Sequence, residues 1–137
     1  VKSSQRNFWR GVWIVNGIYW VILFILTHLP PDKIPKTTVS DKTEHLVAYG
    51  LLAGVVHLSL WPRRWPILKL ALVVIGVCMV YGAFDETTQP IVGRTCDIHD
   101  WLADITGASA SIVLMSVALL LAQRGALRDR SVGEPQS

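Results

Sequence analysis

Several things are scarce in this sequence, and each scarcity closes off a function class. Only two cysteines occur in 137 residues, Cys78 and Cys96, and their spacing makes no zinc motif. No serine or cysteine stands beside a base in the pattern of an activated nucleophile. Lysine and arginine exceed the acids by only three, and they form no basic patch interleaved with aromatics, so the pI near 9.1 does not point to nucleic acid. Polar helix faces are missing too, from all but one of the apolar stretches. The apolar residues, 51% of the chain, follow neither a helical nor a strand period.

They fall instead into four blocks, at residues 8–29, 45–61, 65–84 and 101–122, separated by short polar segments. The first carries no charge after Arg10, and its 22 residues would reach about 33 Å as a helix, enough for a bilayer core of ~30 Å. Trp9, Trp61, Trp65 and Trp101 stand at block ends, where indole rings anchor at headgroup level. The pattern predicts an all-α membrane protein, a bundle of four transmembrane helices. It divides the chain into an N-terminal tail (1–7), a membrane domain (8–122) and a disordered C-terminal tail (123–137). Block one is too long for a signal-peptide core and lacks a small-x-small cleavage site, so it reads as a retained span. Cys78 then lies inside helix three and Cys96 in a loop, which speaks against a disulfide.

Lysine and arginine divide unevenly between the two sides of such a bundle. Nine lie in the termini and in the connection between helices two and three; four (Lys33, Lys36, Lys42, Arg94) lie in the other two connections. The positive-inside rule therefore places both termini in the cytoplasm. Eight of the ten acids sort to the opposite, outer side, so the two sides total +7 and −4. The lysine and arginine excess reports topology and attraction to anionic lipid.

Both outer connections are rich in polar groups at helical spacing. In PPDKIPKTTVSDKTEHLVAYG, Ser40 or Asp41 can cap helix two, with Glu44 as capping-box partner of Asp41. Asp41, His45 and Tyr49 are spaced i, i+4, i+8 on one face. In YGAFDETTQPIVGRTCDIHDWLADITG, Tyr81, Asp85 and Gln89 repeat that spacing beside Glu86, Pro90 ends the helix and Gly93 allows a turn. Asp97, Asp100 and Asp104 then share a face of helix four, with Gly107 and Ser111 extending a stripe of small residues that lets a neighbouring helix approach. Helix-end chemistry accounts for Asp97 and Asp100, but not for Asp104 two turns in, nor for Asp85 and Glu86 at a C-terminal end. Ionisable groups at membrane depth point to a site. Lys42 and Arg94 are its counter-charges, and Arg94 could fork two carboxylates. His28, His57 and His99 read as packed or interfacial residues.

Together, Asp41-Lys42-x-x-His45-x-x-x-Tyr49, Asp85-Glu86-x-x-Gln89 and Gly93-Arg94-x-x-Asp97-x-x-Asp100-x-x-Ala103-Asp104-x-x-Gly107 resemble the VanZ-like family of small bacterial membrane proteins, with Thr27-x-x-Pro30 similar as well. The resemblance covers about residues 27–111 and implies a multi-pass protein of the bacterial inner membrane. The family's namesake is associated with low-level teicoplanin resistance, a phenotype not carried over to this chain. Asp104 and Ser111 depart from the Asn and Gly frequent in the family.

Two functions follow as expectations. In one, an outer-face site binds or processes an envelope or lipid-linked ligand, with His45, Asp85 and Glu86 catalytic, and Asp41, Lys42, Tyr49, Gln89, Arg94 and Asp100 binding the ligand. Asp97, Asp100 and Asp104 would be candidate ligands for Mg²⁺ or Ca²⁺. The longer acidic motif of CDP-alcohol phosphotransferases is missing. In the other, the protein is a non-catalytic accessory or structural subunit of a larger membrane complex, partnered by lipid and by another membrane protein. Whether the chain is an enzyme stays open at this point.

Overall fold

The computed structural model describes residues 2–33 and 38–133, with side chains at residues 3–33, 38–122 and 124. Lys36 and the end of the expected C-terminal tail, residues 134–137, lie outside them. Four helices make up the bundle: α1 (Lys2–Thr27), α2 (Asp41–Leu60), α3 (Ile67–Thr88) and α4 (Ile98–Gly133). Each contains a stretch long and apolar enough to cross a membrane, and no strand occurs among the described residues. The apolar blocks underestimate the helices at most ends, because hydrogen bonding continues into polar sequence where hydropathy has already fallen. α4 in particular continues past Ala122 to Gly133.

The helix ends have local causes. α1 ends at Thr27, whose Oγ1 lies 3.0 Å from Leu23 O and 3.2 Å from Phe24 O, and Pro30 and Pro31 follow. Ser40 is the N-cap of α2, its hydroxyl accepting from Thr43 N, so the choice between Ser40 and Asp41 falls to the serine. α2 passes into a 3-10 turn (Trp61–Arg63) and a left-handed Arg64, before Pro66 leads into α3. α3 gives way at Pro90 to a 3-10 turn (Gln89–Val92) closed by Gly93 at φ +80°, a conformation that glycine adopts at little steric cost. Asp97 then precedes α4, its carboxylate accepting from His99 N at 2.9 Å.

α2 is the least apolar of the four spans, with mean hydropathy 1.3, and also the most enclosed. That pairing is what a bilayer demands: the span with most polar groups goes inside the bundle, and purely apolar faces meet lipid. Ile14, Val21, Leu72, Val80, Leu114 and Leu121 accordingly point outward, while Leu52, Ala53, Val56, Val74, Cys78 and Ile112 pack at the centre.

The small-residue stripe of α4 does what its spacing predicts. Gly107 lies so close to α2 that a Cβ there would overlap the Leu46 carbonyl. One turn along, a Cβ on Gly50 would stand 3.3 Å from Gly107 O, and Gly54 faces the Ser111 hydroxyl. α1 is tied to α2 by Tyr19 Oη donating to Ala48 O (2.8 Å), and α4 to α3 by Trp101 Nε1 donating to Met79 O (3.0 Å).

Candidate functional site

All four helices bring polar side chains to one end of the bundle. The connections α1–α2 and α3–α4 meet there, as the opposed charges of residues 41, 42, 94, 97 and 100 require. Lys42 Nζ reaches Asp97 Oδ2 (3.2 Å) and Asp100 Oδ1 (3.3 Å), and Arg94 Nη2 reaches Asp41 Oδ1 (3.3 Å). The fork between two carboxylates, expected of Arg94, is therefore made by Lys42. Its position one residue inside α2 points it across to the first turn of α4.

Asp97 collects several donors at this rim. Its carboxylate accepts from His99 N, then from the His99 ring and from Lys42, and these contacts hold it well below the usual carboxylate range.

Beneath the rim the groups are buried. His45 Nδ1 donates to Asp104 Oδ1 at 2.9 Å and lies 3.9 Å from Glu86 Oε1. The ring nitrogen facing a carboxylate carries the hydrogen. Gln89 Nε2 bridges Glu86 Oε1 (3.3 Å) to Asp85 Oδ2 (3.4 Å), and Glu86 Oε2 accepts from the Asp97 backbone N–H at 2.9 Å. Asp85 Oδ1 accepts the Thr27 hydroxyl hydrogen at 2.6 Å and stands 3.5 Å from His28 Nδ1, while His28 Nε2 meets the Thr88 hydroxyl at 2.9 Å. The chain of contacts Thr88–His28–Asp85–Gln89–Glu86–His45–Asp104 thus crosses the whole bundle. Tyr49 is fully buried one turn below His45, its ring stacked at 6.3 Å.

Two acids predicted from α3 and one from α4 are the most deeply buried of the set: Asp85 and Asp104 are 0% exposed and Glu86 is 3%. Asp104 has an oxygen to spare. Its Oδ2 is buried without a hydrogen-bond partner among the described residues, and it stands where a side chain on Gly82 would be, 2.8 Å from that Cβ position.

The sequence spacing does not group the metal-ligating atoms as the structure does. The two sets whose ligand atoms lie within 4.8 Å of one another are Asp41–His45–Asp100 and His45–Glu86–Asp104. His45 is common to both, and Asp97 belongs to neither. Thr27 and His28, neither of them among the expected site residues, join the network. Their signal was positional: they end the first apolar block on the same side as the acids. His57 and His99 stand apart from the buried chain. His57 is near the far end of α2, and exposed His99 bonds only Asp97 among the described residues.

A cleft of about 210 Å³ opens between α1 and α2 onto this network. Leu23, Leu26 and Ala48 form its apolar side; Asp41, His45 and Arg94 its polar side.

The profile of the VanZ/LLP1 family matches residues 13–121, well over half of the chain. The chain belongs to the VanZ/LLP1 family. All the buried network residues lie inside the VanZ/LLP1 match, from Thr27 to Asp104, and with the four spans they make this a multi-pass membrane protein. No curated protein and no solved structure matches the chain.

Proposed function

We propose that the polar end of this VanZ/LLP1 bundle binds the headgroup of an amphiphilic, lipid-linked envelope ligand, with the cleft between α1 and α2 as the entry. The observation carrying this reading is the two-sided lining of that cleft. Leu23 and Leu26 suit a hydrocarbon segment, and Asp41, His45 and Arg94 suit a charged head, within one opening. The carboxylate of Asp104 occupies Nδ1 of His45 and leaves Nε2 available to a ligand, the arrangement that lets an imidazole give or accept a proton. Arg94 supplies the donors that suit a phosphate or carboxylate. Asp85 and Glu86 act behind His45 by holding the network in register, and Lys42, Gln89 and Asp100 fix the rim and its floor. The excess of lysine and arginine at the other end of the bundle supports an orientation with both termini in the cytoplasm and this site at the outer face of a bacterial inner membrane.

The test is the lipid content of protein purified in mild detergent, extracted and compared by mass spectrometry with the membrane it came from. One lipid-linked species should be enriched in the unaltered protein and depleted in Arg94→Ala and Leu26→Trp. Retained lipid with the bulk composition in all three would sink the reading. A stoichiometric protein partner in place of an enriched lipid would favour the accessory-subunit alternative.

A further inference from the structure

We infer that His45, Glu86 and Asp104 form a binding site for one divalent first-row transition cation of the Zn²⁺ class. The inference begins with an electrostatic imbalance. Three ionisable side chains from α2, α3 and α4 converge with ligand atoms within 4.8 Å of one another, at exposures of 4%, 3% and 0%. Two carboxylates and one imidazole leave a net negative charge even when His45 is protonated, in a part of the bundle that water barely reaches. Burying such charge without a partner is expensive, and buried carboxylates are as a rule paired or bound to metal.

Hydrogen bonding alone leaves this site unfinished. Glu86 has both oxygens engaged, by Gln89 and by the Asp97 N–H. Asp104 has one engaged, by His45, and its Oδ2 has no partner among the described residues. A cation bound by the three side chains offsets the charge of both acids, and the Asp104 carboxylate can turn to present its unpartnered Oδ2 to it. The separations suit it: His45 Nδ1 stands 2.9 Å from Asp104 Oδ1 and 3.9 Å from Glu86 Oε1. Ligand atoms about 2.0–2.2 Å from a small cation are spaced comparably.

The donor set selects the class of cation. Ca²⁺ takes six to eight oxygens, and Mg²⁺ prefers an oxygen octahedron with several waters. One imidazole with two carboxylates suits zinc and its first-row neighbours better. Three protein ligands leave a fourth position that water can fill. The outer contacts match what supports a metal ligand elsewhere: Gln89 and the Asp97 N–H orient Glu86. Binding the cation displaces the hydrogen from Nδ1, and the neutral ring then carries its one hydrogen on Nε2.

The metal site is independent of what the cleft holds, so its test uses metal alone. Full-length protein in detergent is stripped with chelator, dialysed and titrated with Zn²⁺ by calorimetry, with metal content measured in parallel. We expect one Zn²⁺ per chain. Asp104→Asn and Glu86→Gln, each nearly isosteric, should weaken binding by ~100-fold or more, since even outer-shell changes cost about 10–100-fold. Gln89→Ala should weaken it by roughly 10-fold, while His57→Ala, a change to the other buried histidine, should leave it unchanged. Circular dichroism and size exclusion establish that each variant folds, and if Asp104→Asn does not, Glu86→Gln decides. Zn²⁺ uptake no greater than the micelle blank, equal binding by Glu86→Gln, or displacement by equimolar Mg²⁺ overturns the site. Enrichment of a lipid can succeed or fail separately, because no lipid is added here.

Discussion

The two ends of the bundle handle charge by different means. At the polar end, acids of α2, of α4 and of the turn before α4 are met by basic side chains: Asp41 by Arg94, Asp97 and Asp100 by Lys42, Asp104 by His45. At the opposite end, cations meet aromatic faces instead. Arg63 lies over Trp13 (5.6 Å) and Trp65 (5.5 Å), and Lys69 over Trp65 (4.7 Å). That is the chemistry of a headgroup interface, tolerant of geometry and shared with lipid. The histidines sharpen the contrast. His45 has a carboxylate at 2.9 Å; His57 is fully buried, and neither of its nitrogens has a hydrogen-bond partner among the described residues. The same residue type on one helix is held in a network at one end and merely packed, near Trp61, at the other. Specific pairing marks the site, and burial alone does not.

The contrast can be broken in steps. The largest effect is expected from Gly107→Leu, which drives a side chain into the Leu46 carbonyl and forces α2 from α4 beneath the polar end. A loss of about 3 kcal/mol or more is expected from overpacking against backbone, read as the midpoint of detergent unfolding. Gly76→Ala, with open space around it, should be close to neutral. Next comes the histidine comparison. Asp104→Ala removes the carboxylate that holds His45 and should cost roughly 2 kcal/mol, whereas His57→Leu, which replaces an unpartnered polar ring with an apolar group, should be neutral or stabilising. Equal losses from the two would erase the distinction between the ends. Asp85→Asn should cost on the order of 1 kcal/mol by weakening the Thr27 contact that ties α1 to α3 and the Gln89 contact at the end of α3.

The smallest effect concerns Asp97 on the rim. Its carboxylate is held below its usual range in the folded chain, so its contribution is present above that range and lost as pH falls through the depressed value. Asp97→Asn should therefore lower the melting temperature slightly at neutral pH, with the difference from the unaltered protein vanishing in acid. A difference that persisted in strong acid would show that the residue acts through something other than charge.

Much of the fold was legible in the sequence because bilayers impose a one-dimensional rule: a span must be long and apolar, and four blocks qualified. The i, i+4 spacing also placed His45 above Tyr49 and Asp85 beside Gln89, since contacts within a helix are fixed by its period. What spacing does not encode is rotation between helices. Asp97, Asp100 and Asp104 share a face by count, yet Asp97 turns to Lys42 and His99 while Asp104 turns to His45. That sorting depends on how closely α4 approaches α2, which Gly107 and Gly50 decide across some 57 residues of chain. Thr27 and His28 fall outside the expected site residues for the same reason, as their partners Asp85 and Thr88 lie about 60 residues away.

Gly82 carries a consequence for how such a protein can change over generations. The room that a methyl group would take at 82 is the room in which Asp104 keeps its second oxygen. The two positions are therefore coupled: the carboxylate at 104 keeps its present orientation only while the backbone at 82 stays bare. A lineage that gains alanine there turns the carboxylate opposite, and with it the contact that holds His45.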